Sequence, residues 1–446
     1  MNRETSAPRH SLRSQGRFPA SGSPAPIGPH TIHRFALSNG MRLIVQENHV
    51  SPSVVVGGHL WAGALRDPLE KLGVARFTAS AITRGTTTRS FQEINEITEA
   101  VGANVYVSGG RHLINFGGKS LTEDFGLLVD VLSDVLRNPT FPPREVDKVR
   151  GQIITGLREL ENDTRGLASR DFRKLLYTLE HPYGRPGEGT LETVPTIQRE
   201  DLETFYRTYF SPQGAVIAVV GDVQPEAVRD ALERALGSWQ PPSQTPSFDI
   251  PEVNPLAERR RHVRTMTNKT QADIVLGTVG PARSADDYYA ARLGDLILGH
   301  LGLMGRLGES VRDRQGLAYH ASSSLDAGLG RGPWSVRAGV NPANVDQAIE
   351  SILVEITRLR DEPVSDQELE DGQEYLTGSL PLRLETNEGI ANTLLDMDLF
   401  QLGDDYIMRY PELMRSVTKD QIQAAARKYL DPERYALVIV GPYEDR

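Results

Sequence analysis

The chain has 446 residues, beyond the roughly 250–300 at which a single hydrophobic core stops growing, so at least two domains are expected. Apolar content of 39%, charged content of 24% and a formal net charge of −10 describe an ordinary globular protein and argue against a nucleic-acid surface, which needs a basic face. No cysteine is present, which removes disulfides, thiolate metal sites and cysteine nucleophiles together, and no apolar run approaches the ~20 residues of a membrane helix.

Residues 1–30 are rich in Pro, Ser, Arg and Gly, and Leu12 and Phe18 alone cannot build an apolar helix face. The composition favours a disordered tail over an organelle transit peptide, which Arg3, Arg9, Arg13 and Arg17 faintly suggest. HRFALSNGMRLIVQEN (33–48) reads as a hairpin around Asn39-Gly40, and SVVVGGHLWAG (53–63) as a strand. GVARFTASAITRGT (73–86) reads as a helix running into a Gly-Thr stop. Ser90 and Glu93 form a capping box for a helix that ends at Gly102. A strand pair is expected over 104–118, then long helices from about 122 to 208.

The second half repeats this plan. FYRTYFSPQGAVIAVVGD (205–222) is echoed by AARKYLDPERYALVIVGP (425–442), each a helix end, a Pro turn and a buried strand stopped by Gly. A weaker echo relates 121–149 to 341–369, an amphipathic helix followed by a Pro turn and an acidic-start helix. Between the halves, QPPSQTPSFDIPEVNPLAERRRH (240–262) has five prolines and no periodicity, and reads as a semi-rigid linker whose Glu258–Arg261 run is a solvated end. The expected fold is therefore α+β. It has two homologous halves, each a largely antiparallel sheet covered by helices, joined by a Pro-rich linker. The expected boundaries are a tail at 1–30, a first domain at 31–239, the linker at 240–262 and a second domain at 263–446.

One constellation in the second half could carry chemistry. In GRLGESVRDRQGLAYHASSSLDAG (305–328) a helix over 305–315 stops at Gly316 and a strand over 317–325 follows. Arg312 lies in the last helical turn, and Leu317, Tyr319 and Ala321 are expected on one strand face. A guanidinium and a phenol on either side of such a turn can converge on a peptide carbonyl or a developing oxyanion. The competing structural reading pairs Arg312 with Glu309 and buries Tyr319. Arg314 is the nearby alternative at poorer spacing. Of the ten histidines only His30 and His33 lie close together; His181 and His320 read as packing and sheet residues.

The frame of 73–86, with WAGALRD (61–67) before it, HPYG (181–184) after the long helices and the two-halves plan, resembles the pitrilysin/insulinase (inverzincin) metallopeptidases over residues 31–446. The family's helix runs Gly-x-Ala-His-Phe-x-Glu-His. On that frame the first His falls on Arg76, the Glu on Ala79 and the second His on Ser80, and the family's later Glu pair falls on Thr155-Gly156. None of these can hold zinc or act as base, and neighbouring Glu159 and Glu161 cannot replace two histidines. Arg312 and Tyr319 match the family's Arg/Tyr substrate pair, seven residues apart. The resemblance thus implies a subunit that is not an enzyme on its own and has no catalytic or metal-ligating residue. It would bind peptide with Arg312 and Tyr319 and complete the site of a homologous zinc-bearing partner, which carries the cofactor. No nucleic acid and no membrane span are implied, and a cytoplasmic location is expected, with periplasmic or organellar ones open. Two further readings stand: a structural scaffold subunit without proteolysis, and a glycine-rich-loop subunit of a processing peptidase, which GHLGLMGRLG (299–308) matches poorly.

Overall fold

The structure is a computed structural model and describes residues 27–242 and 249–444. Most of the 1–30 segment and part of the linker lie outside the described residues. Eleven strands are described: β1 Ile32–Ala36, β2 Arg42–Glu47, β3 Ser53–Leu60, β4 Asn104–Gly109, β5 Ile114–Leu121, β6 Val216–Gly221, β7 Arg260–Thr265, β8 Ala272–Val279, β9 Ala318–Leu325, β10 Pro333–Val340 and β11 Ala436–Gly441. The helices of the first half are α1 Val74–Ala81, α2 Phe91–Glu99, α3 Phe125–Arg137, α4 Pro143–Leu160, α5 Thr164–Tyr177, α6 Arg199–Tyr209 and α7 Pro225–Leu236. Those of the second are α8 Tyr288–Gly299, α9 Gly305–Leu307, α10 Val345–Asp361, α11 Asp366–Arg383, α12 Asn387–Leu399, α13 Tyr406–Arg415 and α14 Lys419–Tyr429.

Local chemistry sets several of these limits. Gly40 takes φ 87 and its N–H donates to the Leu37 carbonyl at 2.9 Å, so the Asn39-Gly40 turn joins β1 and β2 as an antiparallel pair. Ser90 and Glu93 cap α2 reciprocally. Arg260 and Arg261 of the charged run are not a solvated linker end, because they open β7 and pair in parallel with β11.

The two sheets share one strand plan, with an extra edge strand in the first. The order is β1-β2-β6-β3-β5-β4 in the first and β7-β11-β8-β10-β9 in the second. Each has one parallel pair: β2/β6 lies inside the first sheet between antiparallel neighbours, whereas β7/β11 ends the second, which has no counterpart of β1, and β11 pairs antiparallel with β8. The repeat extends to single backbone positions. Gly221 and Gly441 both take φ 152, and a Cβ there would sit 2.2 Å from the Ser53 carbonyl oxygen or 2.7 Å from that of Gln271. Both glycines are required by the same close crossing of two strands.

Each half's own helices cover one face of its sheet. The other face is closed by a helix of the opposite half. From the first half, α5 lays Leu167, Phe172 and Leu176 on Val275, Val438 and Val440 of the second sheet. From the second, α12 lays Ile390, Leu394 and Met397 on Ile44, Val55 and Val220 of the first. This exchange explains why β6 and β11 are buried at every position: both faces of both strands are packed against helices.

The exchange also buries a histidine. His59 on β3 is 3% exposed on the α12 side, and its Nε2 has no hydrogen-bond partner among the described residues. Burial holds its pKa down to about 4; Asp398 on α12 pulls it up and Arg42 pushes it down. Arg34 and Arg42 meet Asp398 at 2.9 and 2.7 Å, and Arg34 also meets Asp404 at 2.6 Å, tying the rim of this interface.

Two outcomes follow. A chain cut at a protease site introduced between residues 242 and 249 is expected to elute as one particle and to melt in one transition, because separating the halves exposes two apolar sheet faces; two separated fragments by size exclusion would contradict the exchange. The folded His59 protonates near pH 4 and the unfolded one near 6.5, so its contribution is complete above pH 6.5 and is lost as pH falls toward 4, to a limit of roughly 3 kcal/mol. Urea titrations between pH 7 and 5 are expected to show a smaller loss for His59→Leu than for the parent.

Candidate functional site

The loop before α1 fixes that helix firmly. Asp67 is 2% exposed, and its carboxylate accepts from the N–H of Gly73 at 2.7 Å and of Ala75 at 3.0 Å. Burial pushes its pKa up to about 7, while these two bonds hold it down. Gly73 opens the helix at φ 97, where a Cβ would stand 2.9 Å from the Gly189 Cα. The helix frame expected from the sequence is therefore present, stop included: Ala81 is followed by a 3₁₀ turn and Gly85.

On that frame the structure places Arg76 and Ser80 on one open side of α1 and buries Ala79. The Ser80 hydroxyl donates to the Arg76 carbonyl at 2.9 Å. Thr155 and Gly156 are exposed on α4, and a Cβ on Gly156 would meet nothing within 4 Å. Glu161 is engaged with Arg170 at 2.8 Å. A guanidinium, a methyl and a bonded hydroxyl do not fit zinc. Among the described residues no group of three or more His, Asp or Glu is placed to hold a metal ion.

What lies beside α1 instead is a cleft of about 160 Å³, lined by Arg76, Gly109, Gly110, Arg111, Arg185 and Glu188 among others. Its far wall is the seam between the halves. His112 Nε2 lies 2.7 Å from the Tyr183 hydroxyl, and burial first, then Arg111, holds the imidazole down to about 4. His181 accepts from the Tyr183 N–H at 3.1 Å through Nδ1 and donates from Nε2 to the Pro251 carbonyl at 3.0 Å, so its two nitrogens serve the fold. His320 receives Arg165 from α5 at 3.1 Å. Arg111 and Arg185 were not singled out in the sequence. Their signal is adjacency, two residues past β4 and just behind HPYG.

In the second half, α9 continues as a π-helix over Gly308–Arg314, with Gly316 at φ 63. Arg312 lies in this turn and makes no side-chain hydrogen bond or ion pair among the described residues. Glu309, its expected structural partner, is paired with Arg314. Tyr319 is not on the face of Leu317 and Ala321. Those two are 6% and 0% exposed, whereas Tyr319 is 68% exposed. The cause is a β-bulge: His320 pairs with Gly339 and Ala318 with Val340, leaving Tyr319 opposite nothing. Strand β9 is the outer strand of its sheet, so the phenol projects from an edge.

The description "Insulinase (Peptidase family M16)" fits residues 42–181 and "Peptidase M16 inactive domain" fits residues 196–376, together well over half of the chain. The protein belongs to the M16 (insulinase) peptidase family. It is 26% identical over 419 residues to an uncharacterized zinc protease of Bacillus subtilis, covering 92% of this chain and 98% of that one. It is 28% identical over 434 residues to another from Streptomyces coelicolor, covering 94% and 91%. A probable mitochondrial-processing peptidase subunit beta of Arabidopsis thaliana is 24% identical over 426 residues, covering 92% and 78%. The fold matches the crystal structure of a peptidase M16 inactive domain from Pseudomonas fluorescens with a TM-score of 0.86 at 22% identity, over 93% and 98% of the two chains. It matches a protease from Helicobacter pylori with a TM-score of 0.84 at 18% identity, over 92% and 99%. This M16 chain keeps the family's two-halves fold and the frame of its first helix while lacking the zinc ligands on it. No helix among the described residues is long and apolar enough to cross a membrane.

The donor set predicts that the purified chain, dialysed against zinc and then against buffer, retains far less than one zinc per chain by elemental analysis. One-to-one retention would place a ligand set elsewhere in the molecule.

Proposed function

We propose that this chain is the non-catalytic, substrate-binding subunit of a heterodimeric zinc metallopeptidase. Its partner is a homologous subunit that carries zinc and the general base, and this chain contributes Arg312 and Tyr319 to the shared site. The observation that carries this reading is the presentation of those two side chains. Neither makes a side-chain hydrogen bond or ion pair among the described residues, and they sit at two local irregularities, a π-helical turn and a β-bulge. Such irregularities cost regular hydrogen bonding and concentrate where a side chain has to be aimed. Arg312 supplies a planar fork of donors and Tyr319 a single donor on a rigid ring, suited to a peptide carbonyl as it gains negative charge. Relatives named as zinc proteases, and one as a processing-peptidase subunit, support peptide as the ligand class. No cofactor is assigned to this chain. A scaffold subunit without proteolysis has no need of an unpartnered Arg/Tyr pair.

The test is cleavage of a quenched fluorescent peptide by this chain alone, by a His-x-x-Glu-His partner alone, and by the two co-purified. Activity is expected only in the mixture. Arg312→Ala is expected to lower kcat/KM about 100-fold, the scale of removing one oxyanion donor, and Tyr319→Phe less, with the complex intact by size exclusion. A stable complex without activity, or full activity with Arg312→Ala, would leave this chain as a scaffold.

A further inference from the structure

The cleft beside α1 is more than the place where zinc ligands are missing. Three guanidiniums, from Arg76, Arg111 and Arg185, line it against one carboxylate, Glu188. Two of the three are built into position. The turn at residues 63–65 donates three backbone N–H bonds to the carbonyls of His112, Gly110 and Arg111 at 3.0–3.1 Å, fixing the loop that carries Arg111. Arg111 then donates to the Tyr183 carbonyl at 3.0 Å and lies over the Tyr183 ring. Arg185 donates to the carbonyls of Leu179 and Glu180 at 3.0 and 3.1 Å. Asp67 faces Arg185 and Asp326 faces Arg111 electrostatically, but neither guanidinium makes an ion pair among the described residues, and each has five N–H groups, so each keeps donors for a ligand. Arg76 is exposed and makes no side-chain hydrogen bond or ion pair among the described residues. Gly109 completes the wall: a Cβ there would stand 2.8 Å from the Arg76 Cα, so β4 reaches this close to the helix only without a side chain.

Fixed arginines around a cleft of this size match a carboxylate, which accepts two parallel N–H bonds from a guanidinium. We propose that this cleft is a carboxylate-binding site for the peptide handled by the complex, holding its C-terminal carboxylate or an Asp/Glu side chain. The ligand class rests on the peptide reading above; the site itself rests on its own geometry. Its lining residues all belong to the first half, whereas Arg312 and Tyr319 belong to the second, so it acts as an anchor and not as part of the clamp.

The test uses the intact chain without any partner, so it can fail independently of the cleavage assay. An acetylated decapeptide with neutral side chains is titrated by calorimetry in four forms: free acid, C-terminal amide, amide with one central Glu, and amide with Gln in its place. The free acid is expected to bind about tenfold or more tighter than its amide if the terminus is held, and the Glu form tighter than the Gln form if a side chain is. Arg76→Ala and Arg76→Glu, at an exposed helix position with no side-chain hydrogen bond or ion pair to lose among the described residues, are expected to abolish the preference while the melting temperature holds. Arg314→Ala, an exposed arginine paired elsewhere, is expected to leave it unchanged. Equal affinity for all four peptides, a preference that survives Arg76→Ala combined with Arg185→Ala, or binding of inorganic phosphate alone with no peptide discrimination, would overturn the proposal.

Discussion

Every other feature of this molecule depends on the reciprocal exchange of α5 and α12. A sheet with helices on one side only leaves an apolar face in water, and β6 and β11 each carry two large aliphatic residues toward either face: Ile217 and Val219 against Val216 and Val220, Leu437 and Ile439 against Val438 and Val440. Closing each sheet with a helix from the other half removes two such faces in one arrangement. At about 25 cal/mol per Å² of apolar surface, a seam of this kind outweighs the polar contacts along it. It also fixes the relative placement of the halves. The aromatic seam of Tyr177, His181 and Tyr183, with Tyr177 donating to the Arg331 carbonyl at 3.0 Å, continues the same join and forms the wall behind the arginine cleft.

A rigid frame permits local departures from regular structure, and these fall near the residues that the family frame marks. The π-helical turn and the β-bulge flank one glycine turn. Each leaves backbone groups outside the regular ladder, a cost that packing of Leu307, Val311 and Ala321 into the core offsets. The outcome is an exposed phenol, where a regular strand would have turned Tyr319 inward, beside a half-buried Arg312.

Much of the fold was legible in the sequence because it rests on short-range chemistry. Asn39-Gly40, the Ser90/Glu93 box, and the Pro-turn-strand echo ending at Gly221 and Gly441 are each local rules. The helix exchange was not legible, because nothing in the periodicity of α5 or α12 says which sheet receives the apolar stripe; only the two-faced burial of β6 and β11 hinted at it. The placement of Tyr319 was misread for a related reason. Alternation assigns it to the face of Leu317 and Ala321, and a single unpaired residue reverses that assignment without altering composition. The charged run at Glu258–Arg261 looked like linker because two arginines at a sheet edge have the same composition as a solvated end. Arg312 was legible through family spacing alone, and its freedom from Glu309 depended on a competition with Arg314 that only three dimensions decide.

The retained helix frame and the replaced ligands are consistent parts of one arrangement. Asp67, Gly73 and Gly189 hold the start of α1 by backbone contacts that have no need of zinc, so the helix keeps its place when its histidines are gone. A zinc ion would have been the dominant positive charge at that spot. Arg76 restores a single positive charge on the same helix face, and Arg111 and Arg185 stand across the cleft from it. A zinc ion polarises a carbonyl and activates water, whereas a guanidinium can do neither and binds anions by shape and charge. The side chains on this helix frame thus suit an anion better than a metal ion, and the local charge stays positive.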